Sequence, residues 1–192
     1  MKKRILVISG SPKAGSFSES LAMSYQAGAS KDHDVQLCLL SAMTFNPDLS
    51  QGYAQVQPLE DCLEHFQQQL SWAEHLVVYS PVWWGGLPAK FKGLFDRTFL
   101  PGFAFRYEKG MTMQQKLLRG KTASLILTMD TPPWYFRWWQ GAPAMKQLKI
   151  TTLAFCGIQT LRQQMLGPMI SASEVQKADW LTQAKLHGEQ GK

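Results

Sequence analysis

The chain has 192 residues, enough for one α/β domain that buries a full core without disulfides or metals. Its formal charge is +6, but the basic residues are scattered singly after Lys2-Lys3-Arg4, with no basic helix and no nucleic-acid motif. Three cysteines, Cys38, Cys62 and Cys156, lie in apolar segments at wide spacing and form neither a C-x-x-C nor a Cys/His ligand set. They read as small buried hydrophobes of a reducing compartment, and no metal is expected. The apolar run after Met1-Lys2-Lys3-Arg4 is too short for a signal peptide, and none approaches a membrane span. These features predict a cytoplasmic protein without nucleic-acid partners.

Ile5 to Ile8 is a short continuous apolar run suited to a strand buried on both faces. A loop of small residues, Ser9 to Gly15, follows. Ser16 then opens a helix whose Phe17, Leu21, Tyr25 and Gly28 share one face. Strand, small-residue loop and helix together aim N–H groups and a helix dipole at an anion, so the layout reads as a phosphate cradle with hydroxyls from Ser11, Ser16 and Ser18. The alternative is a tight turn closed by a Ser16/Glu19 capping box.

Val35 to Leu40 is the second strand, and Ser41 to Pro58 is loop-like. From Pro58 a helix carries Leu59, Leu63, Phe66, Leu70 and Ala73 in one stripe. His65 and His75, on or beside it, read as ordinary surface or interface histidines. Leu76 to Tyr79 is the third strand and runs into Ser80-Pro81-Val82-Trp83-Trp84-Gly85-Gly86-Leu87-Pro88 before a helix over residues 89–99. Leu100 to Tyr107 reads as irregular. Lys121 to Thr128 is the fourth strand and opens into Met129 to Trp139, which holds Asp130, Thr131, two prolines and five aromatics. A helix over 144–156 stops at Gly157. Ile158 to Met165 is the fifth strand, and a last helix begins near Ser171 or Ser173 and runs to about His187.

This alternation predicts a single domain over 1–192: a three-layer flavodoxin-like α/β fold with a five-stranded parallel sheet in the order 2-1-3-4-5. In such sheets ligands bind beyond the carboxyl ends of the strands, where three loops emerge: Ser9–Ser16, Ser80–Pro88 and Met129–Trp139. Trp83 and Trp84 suit the cover of a flat ring, with Gly85 and Gly86 giving backbone access; a core cluster at the sheet edge is the alternative. The aromatics after Thr131 suit a flat π-system, a self-packed loop or a dimer contact. No nucleophile–base pair stands among the three loops, so a cofactor must carry the chemistry.

The segments ISGSPKAGSFSESLA, AMTFNPDLS, SPVWWGGLPAKFKGLFDRTFLPGFAF and AFCGIQTLRQQM give the chain a resemblance to the NAD(P)H:quinone oxidoreductase family. That family includes modulator-of-drug-activity and potassium-efflux-ancillary relatives. The resemblance implies a homodimer with a flavin, FMN or FAD, and NADPH or NADH as co-substrate. The flavin phosphate would lie on Ser11, Ser16, Phe17 and Ser18, and the ring on Pro81, Val82, Trp83, Trp84 and Gly85. Thr128, Asp130 and Thr131 would flank the ring's other side. It further implies two-electron ping-pong transfer to a quinone or similar small aromatic acceptor, or else service as a flavin-bound ancillary subunit contacting a glutathione-gated potassium-efflux transporter. In the third loop Asp130-Thr131 stand where the family usually has Gly-Gly. Tyr135 is the candidate proton donor. A flavodoxin-type one-electron carrier is disfavoured by the basic pI near 9.3.

Overall fold

A computed structural model describes residues 2–50, 52, 54–108, 110 and 113–192. The parallel five-stranded sheet runs β2 (Asp34–Leu39), β1 (Arg4–Ser9), β3 (His75–Pro81), β6 (Thr122–Thr128), β7 (Gln159–Leu166). Counting only these strands, the order is the expected 2-1-3-4-5.

Both faces of the central strands are covered, which is why they read as unbroken apolar runs rather than alternating ones. Leu6 and Ile8 of β1, Leu76 and Val78 of β3, and Leu125 and Leu127 of β6 face α2 (Asp61–Trp72), α3 (Ala89–Thr98) and the helical segment after Pro143. Ile5, Val7, Val77, Tyr79 and Ile126 face α1 (Phe17–Ala29) and α6 (Glu174–Glu189). Each such fully buried aliphatic side chain contributes about 1.5–3 kcal/mol of transfer free energy.

Helices α1 and α6 cross unusually closely. A Cβ on Gly28 would stand 2.0 Å from the Lys185 carbonyl oxygen, and one on Gly188 would stand 2.2 Å from that of Tyr25. Gly28 therefore serves the helix face that the spacing assigned to it, as a contact only a bare backbone can make.

The structure corrects several sequence expectations. His75 is no surface residue: it opens β3 and is buried, with Nδ1 2.7 Å from Thr122 Oγ1 and Nε2 3.2 Å from Ser124 Oγ. Within the 100–107 stretch, Phe105–Arg106 forms β4 and pairs antiparallel with β5 (Gln115–Lys116). The tail of the third loop is a helix, α4 (Pro133–Trp138), since Pro133 at its first turn suits a helix start. The helix expected over 144–156 divides into α5 (Pro143–Lys146) and a π-helical stretch, Gln147–Ala154.

Helix α2 starts at Asp61, three residues later than the start expected at Pro58. Glu60 has other work, accepting a 2.8 Å bond at Oε2 from Arg97 Nη2. Arg97, fully buried on α3, also donates to the Pro58 carbonyl at 2.7 Å and to that of Asn46. One guanidinium thereby pins both arms of the 41–60 loop, and both its terminal nitrogens are paired, as a buried charge requires.

Candidate functional site

The strand register brings the three loops to one rim. β1 pairs with β3 through Ser9↔Tyr79, and β3 pairs with β6 through Pro81↔Thr128. β3 and β6 thus end level and β1 two residues short of them, and Val82 N donates to the Thr128 carbonyl at 2.8 Å to lock the second loop to the third.

The first loop is fixed by its own bonds. Gly10 N donates to the Tyr79 carbonyl at 2.7 Å, and Lys13 N donates to Ser11 Oγ at 3.2 Å, tying buried Ser11 into a local turn. A Cβ on Gly10 would stand 2.6 Å from the Phe91 ring, so only glycine lets this loop settle onto α3. Ser16 caps α1, accepting from Glu19 N at 3.3 Å. The capping box is only half made: the Glu19 carboxylate instead accepts from Ser41 Oγ at 2.9 Å. Phe17 and Ser18, the first residues of α1, have no carbonyl four residues back inside the helix, and their N–H groups point out of its positive end. Phe17 itself packs on Trp180, with ring centroids 6.1 Å apart.

The Ser18 hydroxyl is not free to face a ligand alone. It is buried and lies 2.9 Å from Thr128 Oγ1, either atom able to donate. Two residues chosen separately from the sequence thus bridge the first and third loops directly. At the last residue of β1, Ser9 Oγ is fully buried and has no partner among the described residues. An orphaned hydroxyl at the end of β1 is a polar atom that a bound group can satisfy.

The second loop is a tight turn. Trp83 N donates to the Gly86 carbonyl at 3.0 Å, and Gly86 N donates back to Trp83 at 2.9 Å. The central residues, Trp84 and Gly85, both have positive φ, +53° and +75°, as in a type I′ turn. Gly85 tolerates this freely; Trp84 does not, since a side chain in the left-handed region costs roughly 1–2 kcal/mol. Trp84 recovers nothing by packing, for its side chain is fully exposed, and Trp83 is half exposed. Strain of this kind at a surface points to a role outside the monomer's stability. The Trp84 and Gly85 N–H groups stand outside the turn's hydrogen-bonded pair, and the Gly85 carbonyl accepts from Ala144 N at 3.1 Å.

In the third loop Asp130 is exposed and Thr131 half-buried. Tyr135, on α4, stacks on Trp139 with centroids 6.3 Å apart and planes 20° apart, and meets Trp134 edge-on at 5.8 Å. The loop is therefore partly self-packed, one of the two alternatives its composition left open. Gly10, Ser9 and the Glu19–Ser41 contact were missed from the sequence. Only Gly10 carried a signal there, as a glycine immediately after a buried strand.

The sequence model of the family described as having a flavodoxin-like fold matches residues 3–187. An uncharacterized NAD(P)H oxidoreductase of Haemophilus influenzae is 27% identical over 157 residues, 77% of this chain and 77% of that protein. The ribosyldihydronicotinamide dehydrogenase [quinone] of Rattus norvegicus is 29% identical over 149 residues, 70% of this chain and 61% of the rat protein. The crystal structure of Smu.1420 from Streptococcus mutans superposes with a TM-score of 0.82 at 29% identity, covering 99% of this chain and 100% of that one.

Proposed function

Because the chain belongs to the flavodoxin-like fold family, we propose that it is a flavin-dependent NAD(P)H oxidoreductase that passes two electrons by a ping-pong route to a quinone or similar aromatic acceptor. The observation that carries this reading is the convergence of three loops on one rim, with Pro81 opposite Thr128 and Ser18 bonded to Thr128. The names of the Haemophilus and rat relatives, an NAD(P)H oxidoreductase and a quinone dehydrogenase, support the same class.

The residues present suit a flavin, FMN or FAD. A phosphate would take the free N–H groups of Phe17 and Ser18 at the positive end of α1, with Ser11 and Ser16 holding the turn in shape. Ser9 Oγ offers the unpaired polar atom. The ring would lie along Pro81 and Val82, covered by Trp83 and Trp84, with the Trp84 and Gly85 N–H groups facing its polar edge. Thr128, Asp130 and Thr131 would close the far side. When bound, a flavin supplies the hydride acceptor and donor chemistry that no side chain here can supply.

The protein's own residues then bind, orient and exclude water. Trp83 offers a flat apolar face for nicotinamide and acceptor in turn, and Tyr135 would give a proton to the acceptor. A second copy of the chain, packed over the exposed Trp84, would complete the cover as a homodimer.

The test is steady-state oxidation of NADPH and NADH with menadione as acceptor and FMN or FAD supplied. Parallel double-reciprocal lines with either nucleotide are expected. Absence of flavin-dependent nucleotide oxidation with any quinone, nitro- or azo-aromatic acceptor overturns the reading.

A further inference from the structure

A second concave site lies just outside the rim. Between α4, the helical segment after Pro143 and the edge strand β7 runs a groove of about 840 Å³. Its walls include Trp134, Arg137, Trp138, Lys146, Lys149 and Gln164, and no carboxylate lines it. None of the three cations makes an ion pair with any carboxylate among the described residues. Trp134 and Trp138 are one helical turn apart on α4, and both are exposed. The Arg137 guanidinium carbon lies over the Trp138 ring, 5.3 Å from its centre.

Three cations with no carboxylate to occupy them, beside exposed indole faces, leave the groove free to take something anionic and flat. A phosphorylated purine nucleotide has that chemistry: a π-face for Trp134 or Trp138, and phosphate oxygens for Arg137, Lys146 and Lys149. The concavity favours a small molecule over a flat lipid surface, which a convex face would meet better. The groove also adjoins the rim. Its lip at Ala142 is held near the strained tryptophan turn by the bond from Ala144 N to the Gly85 carbonyl, 3.1 Å. Its α4 wall begins two residues after Thr131.

Building on the oxidoreductase reading, we infer that this groove receives the adenosine 2′,5′-bisphosphate end of NADPH while the nicotinamide end occupies the rim. The three cations then set a preference for the phosphorylated nucleotide over NADH.

The test is direct binding, by calorimetry at fixed ionic strength, of adenosine 2′,5′-bisphosphate and adenosine 5′-monophosphate to protein stripped of flavin. The bisphosphate is expected to bind about tenfold or more tightly than the monophosphate, the scale of one well-placed charge-assisted contact. In the triple variant Arg137→Ala/Lys146→Ala/Lys149→Ala the preference should fall below about twofold, and in steady state kcat/KM for NADPH should fall about tenfold more than kcat/KM for NADH. A control variant with the same charge loss elsewhere, Lys2→Ala/Lys31→Ala/Lys185→Ala, should keep the preference. Equal affinity for the two nucleotides, an equal loss in the control variant, or binding only to phosphatidylserine vesicles overturns the inference. Because the binding arm needs no flavin and no turnover, bisphosphate preference in a protein that takes up no flavin overturns the oxidoreductase reading and leaves the groove. Flavin uptake without that preference does the reverse.

Discussion

The two ends of the three central strands, β1, β3 and β6, are built on opposite terms. At the amino end every polar group named has a partner. Arg4 N donates to Glu74 Oε2 at 3.0 Å, His75 sits between Thr122 and Ser124, and Lys121 Nζ donates to the carbonyls of Ser71 and Ala73 at 2.9 and 2.5 Å. At the carboxyl end a buried serine hydroxyl is unpartnered, a fully exposed tryptophan is held at positive φ, and the first N–H groups of α1 point outward. The same strands supply both ends, so the difference is not one of scaffold. Along β1, β3 and β6 the amino end is paired and contributes stability, whereas the flanking strands keep orphan atoms there, His33 Nε2 before β2 and Thr160 Oγ1 on β7; the carboxyl end of the central strands is left open, and that openness is what a ligand can use.

The sharpest way to break this comparison is to attack the saturated end. Burial first, and the nearby positive charge of Lys3 second, push the His75 imidazole down to about 4 from its ordinary 6.5. A base whose folded value is depressed contributes its full stability above about pH 6.5 and loses it as pH falls toward 4, when the unfolded chain takes up the proton first. By linkage the loss amounts to about 3 kcal/mol across that window. Urea unfolding of the His75→Gln variant should start about 1 kcal/mol less stable at pH 7.5, from lost hydrogen bonding, and show a much flatter acid limb. An acid limb as steep as that of the wild type would place the titrating group elsewhere.

The open end should respond the other way. Trp84→Asn puts a residue at ease with positive φ into the turn and is expected to raise stability by about 1 kcal/mol in thermal or urea unfolding. The same change should weaken flavin binding several-fold by removing an aromatic face. Stability lost with Trp84 would mean that the tryptophan packs for the fold and is not held against it.

The sequence made the sheet readable because Ile5–Ile8 and Leu76–Tyr79 are continuous apolar runs, the mark of strands covered on both faces. The caps at Ser16 and Ser173 were legible for a similar reason: their partners, Glu19 N and Gln176 N, lie three residues away. What stayed hidden depends on distant partners. His75 looks like a surface histidine until the register sets it beside Thr122, and Arg97 looks like a solvated helix charge until Asn46, Pro58 and Glu60 fold back onto it. The helix α4 was masked by tandem prolines, and the π-helical turns around Thr151-Thr152 follow no periodicity that apolar spacing reveals. At the candidate site the residue types were legible from composition. The Ser18–Thr128 bridge and the strain at Trp84 were not, because both are properties of the assembled rim.

The central claim is that the open rim holds a flavin. It is tested most directly by titrating FMN and FAD into cofactor-free protein while following flavin and tryptophan fluorescence together. Saturable binding of one of the two at one flavin per chain, with quenching of both signals, is the predicted result. A folded protein that binds neither flavin, at concentrations where its thermal unfolding remains cooperative, would contradict the account.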